Sequence, residues 1–248
     1  MKLYNLPFFD FMRAWYMKGY YKTYEPDLVQ ALKYTHDDER CFMVGTGPSL
    51  TDEQLDRIRS EITFGTNTAY KLFFKFTYYC VSDQGVWAKH KKKILEEDTQ
   101  LLLSGHAGRD YLLFEETYKP YIVNKPVILK DLGDIKREGW KDKDLTHGTY
   151  WGNTIMVDCA LQVAYWMGFK EVYLIGCDCN YKGSHHFDGE RFYFQTDTPA
   201  YYDQHWKKVF EAHKIIKEGF ENKGRKIYNA TPGGDLEVYD RVKLEDIV

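Results

Sequence analysis

The sequence has few cysteines, no long apolar run and no strong excess of charge of one sign. Its five cysteines are too few and too widely scattered for a disulfide framework (Cys41, Cys80, Cys159, Cys177 and Cys179). No run of about 18 apolar residues is present, which argues against a membrane-spanning helix. The first residues lack the basic start and continuous apolar core of a secretory signal. These absences predict a cytoplasmic protein with reduced cysteines.

The charge balance argues against one class of partner. The 248 residues contain 34 Lys and Arg against 37 Asp and Glu, a net charge of −3. A protein that binds nucleic acid by neutralising many phosphates carries a clear basic excess. We therefore expect no nucleic-acid partner, although a local anion site remains compatible with the composition. With 44% hydrophobic and 29% charged residues, the composition is that of a folded domain.

Aromatic residues make up 17% of the chain and concentrate in two places. One cluster lies before residue 21, and it predicts that residues 1–39 form an N-terminal extension packed on a main domain of residues 40–248. A peripheral contact with the inner face of a membrane is the alternative for this cluster. The second cluster lies between Phe187 and Trp206, where ring faces would suit a sugar or a nucleobase.

Strands and helices alternate along the main domain. The apolar run 40–44 predicts a strand, which is followed by a glycine turn and by a helix from Thr51 to about residue 60. Further predicted strands are 61–65, 77–82, 101–104, 171–176 and 226–230, and further predicted helices are 155–167 and 203–222. Residues 130–150 read as a loop, and 182–202 as a lid-like insertion. The pattern indicates an α/β fold: a Rossmann-like, mostly parallel sheet with helices on both faces.

Ligands of such folds bind at the carboxyl ends of the strands, where glycine and polar residues collect in this sequence. Two glycines let a backbone approach a ligand, and a following helix can direct N–H groups at a phosphate, although a plain turn has the same letters. Asn and Asp there can bind a base or ribose, or can simply make turns and helix caps. The candidate nucleotide-binding residues are Gly45, Thr46, Gly47, Pro48, Ser49, Asn67, Asp83, Asn153, Thr154 and Asp178.

Histidines within or beside the predicted lid are the candidates for proton transfer near neutral pH. They are His186 and His205. A metal site is not predicted, because the adjacent His185 and His186 would point to opposite sides of an extended segment. The Asp142-x-Asp144 spacing, which lies in a charged loop, is a weak match to a metal–nucleotide motif.

Four blocks in the same order carry a resemblance to a known family. They are 41–50 (CFMVGTGPSL), 65–67 (GTN), 167–178 (MGFKEVYLIGCD) and 227–234 (IYNATPGG). They resemble the 6-hydroxymethylpterin diphosphokinase-like (MptE-like) family, many members of which are bacterial surface-polysaccharide proteins. The same blocks are similar to the small bacterial lipooligosaccharide sialyltransferases, which use CMP-sialic acid on a Rossmann-like fold without a metal.

The resemblance implies a transferase that moves a sugar from a nucleotide-sugar donor, CMP-linked in the sialyltransferases, to a bacterial surface glycan. The residues from Gly45 to Ser49 would hold the donor's phosphate and ribose, and Asn67 would contact the nucleotide. Asp178 matches an Asp of the family, whereas Asp83 stands where the sialyltransferases have Asn. Asn153 and Thr154 fall near the start of a helix that the family also has.

The resemblance also implies which residues would catalyse the sugar transfer. Tyr181 would assist the leaving phosphate, His205 would be the base that deprotonates the acceptor, and His186 is its rival. No cofactor is required.

Two other functions stay open at this point. A diphosphokinase would transfer pyrophosphate from ATP to a hydroxymethylpterin-like substrate and would need Mg²⁺ held by carboxylates such as Asp83, Asp178 and Asp188. A noncatalytic nucleotide- or glycan-binding protein would need neither His186 nor His205.

Overall fold

The computed structural model describes residues 25–180 and 199–248, the second range with side chains from residue 204 onward. Residues 1–24 and 181–198 lie outside the described residues. The N-terminal aromatic cluster, most of the predicted lid, Tyr181, His186 and Asp188 therefore stay predictions without a structural description.

The described chain contains an eight-stranded sheet in which every pairing is parallel, and a separate pair of short strands. The strands are β1 (Arg40–Val44), β2 (Thr63–Thr66), β3 (Tyr78–Val81), β4 (Gln100–Leu103), β5 (Val127–Ile128), β6 (Asp131–Asp134), β7 (Thr149–Trp151), β8 (Glu171–Ile175), β9 (Lys226–Asn229) and β10 (Asp240–Arg241). The large sheet has the order β10-β9-β8-β1-β2-β3-β4-β5, and β6 pairs with β7.

Helices connect most of these strands. They are α1 (Pro26–Gln30), α2 (Asp52–Arg57), α3 (Gln84–Leu95), α4 (Gly105–Tyr118), α5 (Ile135–Glu138), α6 (Leu161–Met167) and α7 (Pro199–Glu221). A π turn (Met156–Ala160) precedes α6, and short 3₁₀ helices occupy Ala69–Leu72, Lys119–Tyr121 and Leu244–Asp246. Among the described helices, none combines the length and the apolar character needed to cross a membrane.

Strand β1 shows why the sheet is covered on both faces. Its residues from Cys41 to Val44 are all fully buried. Cys41 and Met43 belong to one apolar cluster, and Phe42 and Val44 belong to another. Because successive side chains of a strand point to opposite faces, a strand buried on both faces needs helices above and below the sheet. The first cluster includes α6 and α7, and the second includes α2, α3 and α4. The predicted Rossmann-like α/β fold is confirmed.

The strand order reverses beside β1. From β1 the chain adds β2, β3, β4 and β5 on one side, whereas β8, β9 and β10 lie on the other. Val44 is in register with Ile175, so the loops that leave β1 and β8 begin side by side. A reversal of this kind leaves a crevice outside the carboxyl ends of the two strands.

The start of α2 and the end of α6 follow the expected local chemistry. Thr51 forms a capping box at the start of α2: its Oγ1 accepts from the Gln54 N–H at 3.3 Å, and its own N–H donates to Gln54 Oε1 at 2.9 Å. Gly168 ends α6 in the left-handed conformation, with φ of 99°. The residues before β1 are attached to this same helix, because Trp166 Nε1 donates to the carbonyl of Val29 in α1 at 2.9 Å.

Several predicted boundaries were wrong. The predicted helix 155–167 is a π turn followed by the shorter α6, and α7 begins at Pro199 instead of near residue 203. The predicted loop 130–150 contains β6, α5 and most of β7, and these elements of three or four residues are too short to produce a periodic pattern. Helices α3 and α4 and strands β5 and β10 were not predicted at all.

We expect Gly168→Ala to lower the free energy of unfolding by about 2–3 kcal/mol. A left-handed backbone costs a residue with a Cβ about 1–2 kcal/mol, and this Cβ would also lie 3.0 Å from Asp37 Cα, which adds a steric cost. Urea unfolding of the purified variant measures the change. The matched control is Gly224→Ala, which has φ of 67° and no atom within 4 Å of the added Cβ. Equal losses in the two variants would contradict the steric contribution at Gly168.

Candidate functional site

A cavity of about 760 Å³ opens at the carboxyl ends of the central strands. This volume lies within the range of pockets that enclose small organic ligands, and it is large enough for a nucleotide sugar. Each of the strands contributes the residues that follow it: Gly45 and Gly47 after β1, Asn67 and Thr68 after β2, Ser82 and Asp83 after β3, Ser104 and His106 after β4, and Gly176 and Asp178 after β8. The opposite wall comes from β6, β7, the π turn and α7.

Most of the described residues predicted from the sequence meet in this cavity. Those that line it are Gly45, Thr46, Gly47, Asn67, Asp83, Asn153, Thr154, Asp178 and His205. Pro48 and Ser49 belong to the same loop but do not line the cavity. The convergence of strand ends is therefore as expected, while the role of each residue stays a prediction.

The glycine loop after β1 packs directly against the loop after β8. The N–H of Gly45 donates to the carbonyl of Ile175 and the N–H of Gly47 to that of Gly176, both at 2.8 Å. A Cβ on Gly45 would overlap the carbonyl of Gly176, and a Cβ on Gly47 would overlap the Asp178 carboxylate. Glycine is thus required here by the approach of two loops. Because both N–H groups already have carbonyl partners, a phosphate in the cavity would need other donors.

Asp178, in the loop after β8, accepts hydrogen bonds from the loop after β1. Its Oδ2 accepts from the Ser49 hydroxyl at 2.8 Å and from the Ser49 N–H at 3.5 Å. The side chain is buried and lines the cavity. Ser49 therefore has a clear structural role behind the cavity wall, as the partner of this carboxylate.

Two asparagines in a left-handed backbone conformation face the cavity. Asn67 has φ of 51° and Asn153 has φ of 69°. The conformation of Asn67 is held by its N–H, which donates to the Cys80 carbonyl at 3.1 Å, and by its carbonyl, which accepts from the buried Tyr79 hydroxyl at 2.7 Å. Such backbone strain is common at ligand-binding positions, because the surrounding structure must enforce it.

One polar atom of each asparagine is buried without a hydrogen-bond partner in the described part of the chain. These atoms are Oδ1 of Asn67 and Nδ2 of Asn153, and the hydroxyl of the neighbouring Thr68 is also buried without a partner there. A buried polar atom without a hydrogen bond costs about 1–3 kcal/mol, so such atoms are rare unless a ligand or water completes them. The cavity wall thus contains an acceptor of Asn67 and a donor of Asn153 that have no partner among the described residues.

Asp83 and Thr154 also form the helix caps that were the alternative to ligand binding. Asp83 Oδ1 accepts from the Val86 N–H at 2.7 Å and caps α3 while the residue lines the cavity. Thr154 Oγ1 accepts more weakly from the Val157 N–H, at 3.4 Å. For both residues, the local structural role is observed and a ligand contact stays a prediction.

Arg109 is a cation of the cavity that the sequence did not predict. It lies one turn into α4, its Nε is buried without a partner, and within residues 25–180 and 204–248 no carboxylate pairs with it. Its guanidinium donates to Nδ1 of His106 at 2.8 Å. Burial, followed by the charge of Arg109, lowers the pKa of His106, so the imidazole is a neutral acceptor at pH 7. Recognition of α4 as a helix following a strand would have placed Arg109 at the sheet edge.

His205 and two tryptophans form the wall contributed by β7 and α7. Trp151 and Trp206 line the cavity, and Trp151 is 41% exposed. Burial, then Lys208 and Lys136, lowers the pKa of His205. The imidazole is therefore neutral at pH 7 and able to accept a proton. Lys136 also lies 5.2 Å from the centre of the Trp151 ring.

Asp158 is the second charged residue of the cavity that the sequence did not predict. It belongs to the π turn and lines the cavity. Its Oδ1 accepts from the Gly152 N–H at 2.6 Å, and its Oδ2 accepts from the Ser82 hydroxyl at 3.3 Å. Burial raises the pKa of this carboxyl to about 7, although both hydrogen bonds favour the ionised form. The available signal was a lone acidic residue in the apolar pattern 155–167.

The described residues contain no group of three or more His, Cys, Asp or Glu side chains that could hold a metal ion. All five cysteines are free thiols. Burial raises the pKa of Cys177 well above its usual value and that of Cys179 to about 12, so neither is a thiolate at pH 7.

Comparison with known proteins assigns no family to the chain. No family model matches it, and no curated protein matches it. Fold and cavity together define its class: a Rossmann-like α/β protein with a ligand-sized cavity at the point where the strand order reverses.

A pH-dependent loss of stability is expected from His213, which is fully buried beside the cavity. Its Nδ1 lies 2.8 Å from the Tyr239 hydroxyl, and burial lowers its pKa to about 3. Between pH 6.5 and 3 the unfolded chain binds more protons at this residue, so the free energy of unfolding falls as the pH falls. We expect His213 to contribute a fall of about 2–3 kcal/mol between pH 6.5 and 4.5.

Urea unfolding of wild type and His213→Gln from pH 7.5 to 4.5 measures this contribution. The fall should be shallower in the variant. His147→Gln is the control with the opposite sign, because the ion pair with Asp142 raises the pKa of His147. Stability from that pair is present at low pH and lost as the pH rises. Parallel curves for wild type and His213→Gln would show that His213 does not titrate as expected.

Proposed function

We propose that this protein is a glycosyltransferase that moves a sugar from a nucleotide sugar to a bacterial surface glycan. The observation that carries the proposal is that Asn67 and Asn153, each with a buried amide atom that lacks a partner in the described part of the chain, line one 760 Å³ cavity together with a neutral histidine, His205. The resemblance of four sequence blocks to the polysaccharide-associated and sialyltransferase families supports the same class of substrate.

The polar groups of the cavity suit the uncharged half of a nucleotide. A nucleobase edge or a ribose presents donors and acceptors together, as the Asn67 oxygen and the Asn153 nitrogen require. The faces of Trp151 and Trp206 offer stacking surface for a base or a sugar ring. Binding of this half by shape and hydrogen bonds agrees with a composition that has no basic excess.

Arg109 is the residue best suited to bind the donor's phosphate. Its guanidinium has no carboxylate partner among the described residues, and such a group binds phosphate oxygens by charge-assisted hydrogen bonds. The glycine loop would then shape the cavity next to the nucleotide. Asp83, in contrast, already caps α3, and Asp178 already accepts a hydrogen bond from Ser49. These bonds favour sugar transfer over a diphosphokinase reaction, which would need both carboxylates as magnesium ligands.

Transfer requires three events. A base takes the proton of the acceptor hydroxyl, its oxygen bonds to the anomeric carbon, and the bond between that carbon and the phosphate oxygen breaks. His205, which lines the cavity, is the described candidate for the base, and His186 stays its rival outside the described residues. Arg109 would stabilise the charge that develops on the departing phosphate, usually the largest single contribution to such a reaction.

The first test is a binding panel of CMP, UDP, GDP and ATP, measured by calorimetry with wild type and Arg109→Gln. We expect at least one of the three sugar-donor nucleotides to bind. Loss of a charged hydrogen bond should weaken that binding about 10- to 100-fold in the variant. Arg59→Gln is the matched control, because Arg59 is exposed and pairs with Asp56. Failure of CMP, UDP and GDP to bind, or binding of ATP alone, would reject the proposed function.

The second test concerns the base. We expect His205→Gln to reduce release of nucleotide from the donor about 10²- to 10⁴-fold while nucleotide binding changes little, since a positioned base contributes that much to a rate. Donor turnover with water as acceptor provides the measurement. His147→Gln is the exposed control, and His186→Gln is assayed in parallel. Unchanged turnover in His205→Gln with a large loss in His186→Gln would transfer the role to His186.

A further inference from the structure

Trp151 is a large aromatic side chain that the fold leaves open at the cavity. It is the last residue of β7, it lines the cavity and it is 41% exposed. By contrast, Trp87, Trp140 and Trp166 are buried. Apolar ring surface that stays in contact with water gains hydrophobic free energy when another molecule covers it. The open indole of Trp151 is therefore available to a ligand.

Contacts with β6 and α5 hold the Trp151 ring in place. Asp134 lies beside Trp151 in the register that pairs β6 with β7. Lys136 Nζ lies 2.9 Å from Asp134 Oδ1 and 5.2 Å from the centre of the Trp151 ring. The side chains of Lys136 and Asp134 are only 14% and 20% exposed. A cation that is itself fixed by an ion pair positions the indole, so the ring surface in the cavity is preformed.

Two rings of α7 continue this wall. His205 and Trp206 both line the cavity, and their ring centroids are 5.3 Å apart. Lys136 is a neighbour of both Trp151 and His205: after burial and Lys208, its charge also lowers the pKa of His205. Trp151 thus lies on the same side of the cavity as the proposed base.

The aromatic wall of Trp151, His205 and Trp206 lies nearer the opening of the cavity than Asn153 does. Thr154, next to Asn153, places its Oγ1 3.4 Å from His213 Nε2. His213 is fully buried, whereas His205 and Trp206 are partly exposed. The two histidines are eight positions apart on α7, which corresponds to about 12 Å along a helix. A nucleotide bound at Asn153 would therefore leave the aromatic wall to the other substrate.

We propose that Trp151 forms the acceptor subsite, where one sugar ring of the glycan stacks on the indole and presents a hydroxyl to His205. The inference rests on the proposed function. One face of a sugar ring consists of C–H groups with a small positive charge, and these suit the electron-rich face of an indole. The hydroxyl groups stand at the edge of a stacked sugar ring. One of them can therefore reach the neighbouring imidazole, and Trp206 borders the same space.

The test measures sugar binding and nucleotide binding separately in the full chain. The probes are methyl glycosides of glucose, galactose and N-acetylglucosamine, titrated by ligand-observed NMR in the presence of saturating CMP, UDP or GDP. We expect at least one glycoside to bind wild type. Loss of the stacking surface in Trp151→Ala should weaken that binding about tenfold. Calorimetry of the same variant should show a change in nucleotide affinity of less than about threefold.

Two further variants separate stacking from a general effect on the fold. Trp151→Tyr keeps an aromatic face and should retain glycoside affinity within about threefold of wild type. Phe73→Ala is the matched control, because Phe73 is 98% exposed and lies outside the described lining of the cavity. Both affinities should be unchanged in that variant.

The outcomes separate the two proposals. Failure of every nucleotide to bind wild type rejects the proposed function, and the acceptor subsite with it. Nucleotide binding without binding of any glycoside, or with equal glycoside affinity in wild type and Trp151→Ala, rejects only the subsite. A loss of nucleotide affinity in Trp151→Ala that equals or exceeds the loss of glycoside affinity also rejects it, because the indole would then stack on the nucleobase.

Discussion

The pairing of β1 with β8 is the constraint on which the cavity depends. It joins residues that lie far apart in the sequence, and its register places Val44 beside Ile175. The two loops that follow are then so close that side chains on Gly45 or Gly47 would overlap the opposite loop. Because strand order reverses at this pair, the loops separate outward from it and leave space at the carboxyl ends of the strands. A change in this contact would alter both the sheet and the cavity.

Around the β1–β8 pair, the residues that stabilise the fold are distinct from the residues that line the cavity. The central strands are buried on both faces and carry the apolar burial that stabilises the fold. The cavity edge has the opposite character: left-handed asparagines, unpartnered amide atoms and a partly buried carboxyl at Asp158. Each of these features costs free energy, and the unpartnered amide atoms would recover it by bonding to a ligand. Their concentration in one place is the physical argument that the cavity is a functional site.

The success of sequence-based prediction differs between elements for identifiable reasons. Strands β1 and β8 are continuous apolar runs bounded by glycine, and α2 begins with a capping box, so local signals specify them. Helix α3 is rich in lysine and buries only one narrow face, and β6 and β7 are too short to show alternation. Their positions follow from contacts with distant parts of the chain, which a local pattern does not contain.

The sequence by itself determined the fold class, the glycine loop and the set of strand ends that meet at one edge. Those features follow from local apolar runs and from the rule that parallel strands end on the same side. Only the tertiary structure decided that Arg109 lacks a carboxylate partner among the described residues, that Asp158 has a raised pKa and that Asn67 and Asn153, each with an unpaired buried atom, line one cavity. Burial and pairing are properties of three-dimensional neighbours, and those neighbours come from elements far apart in the chain.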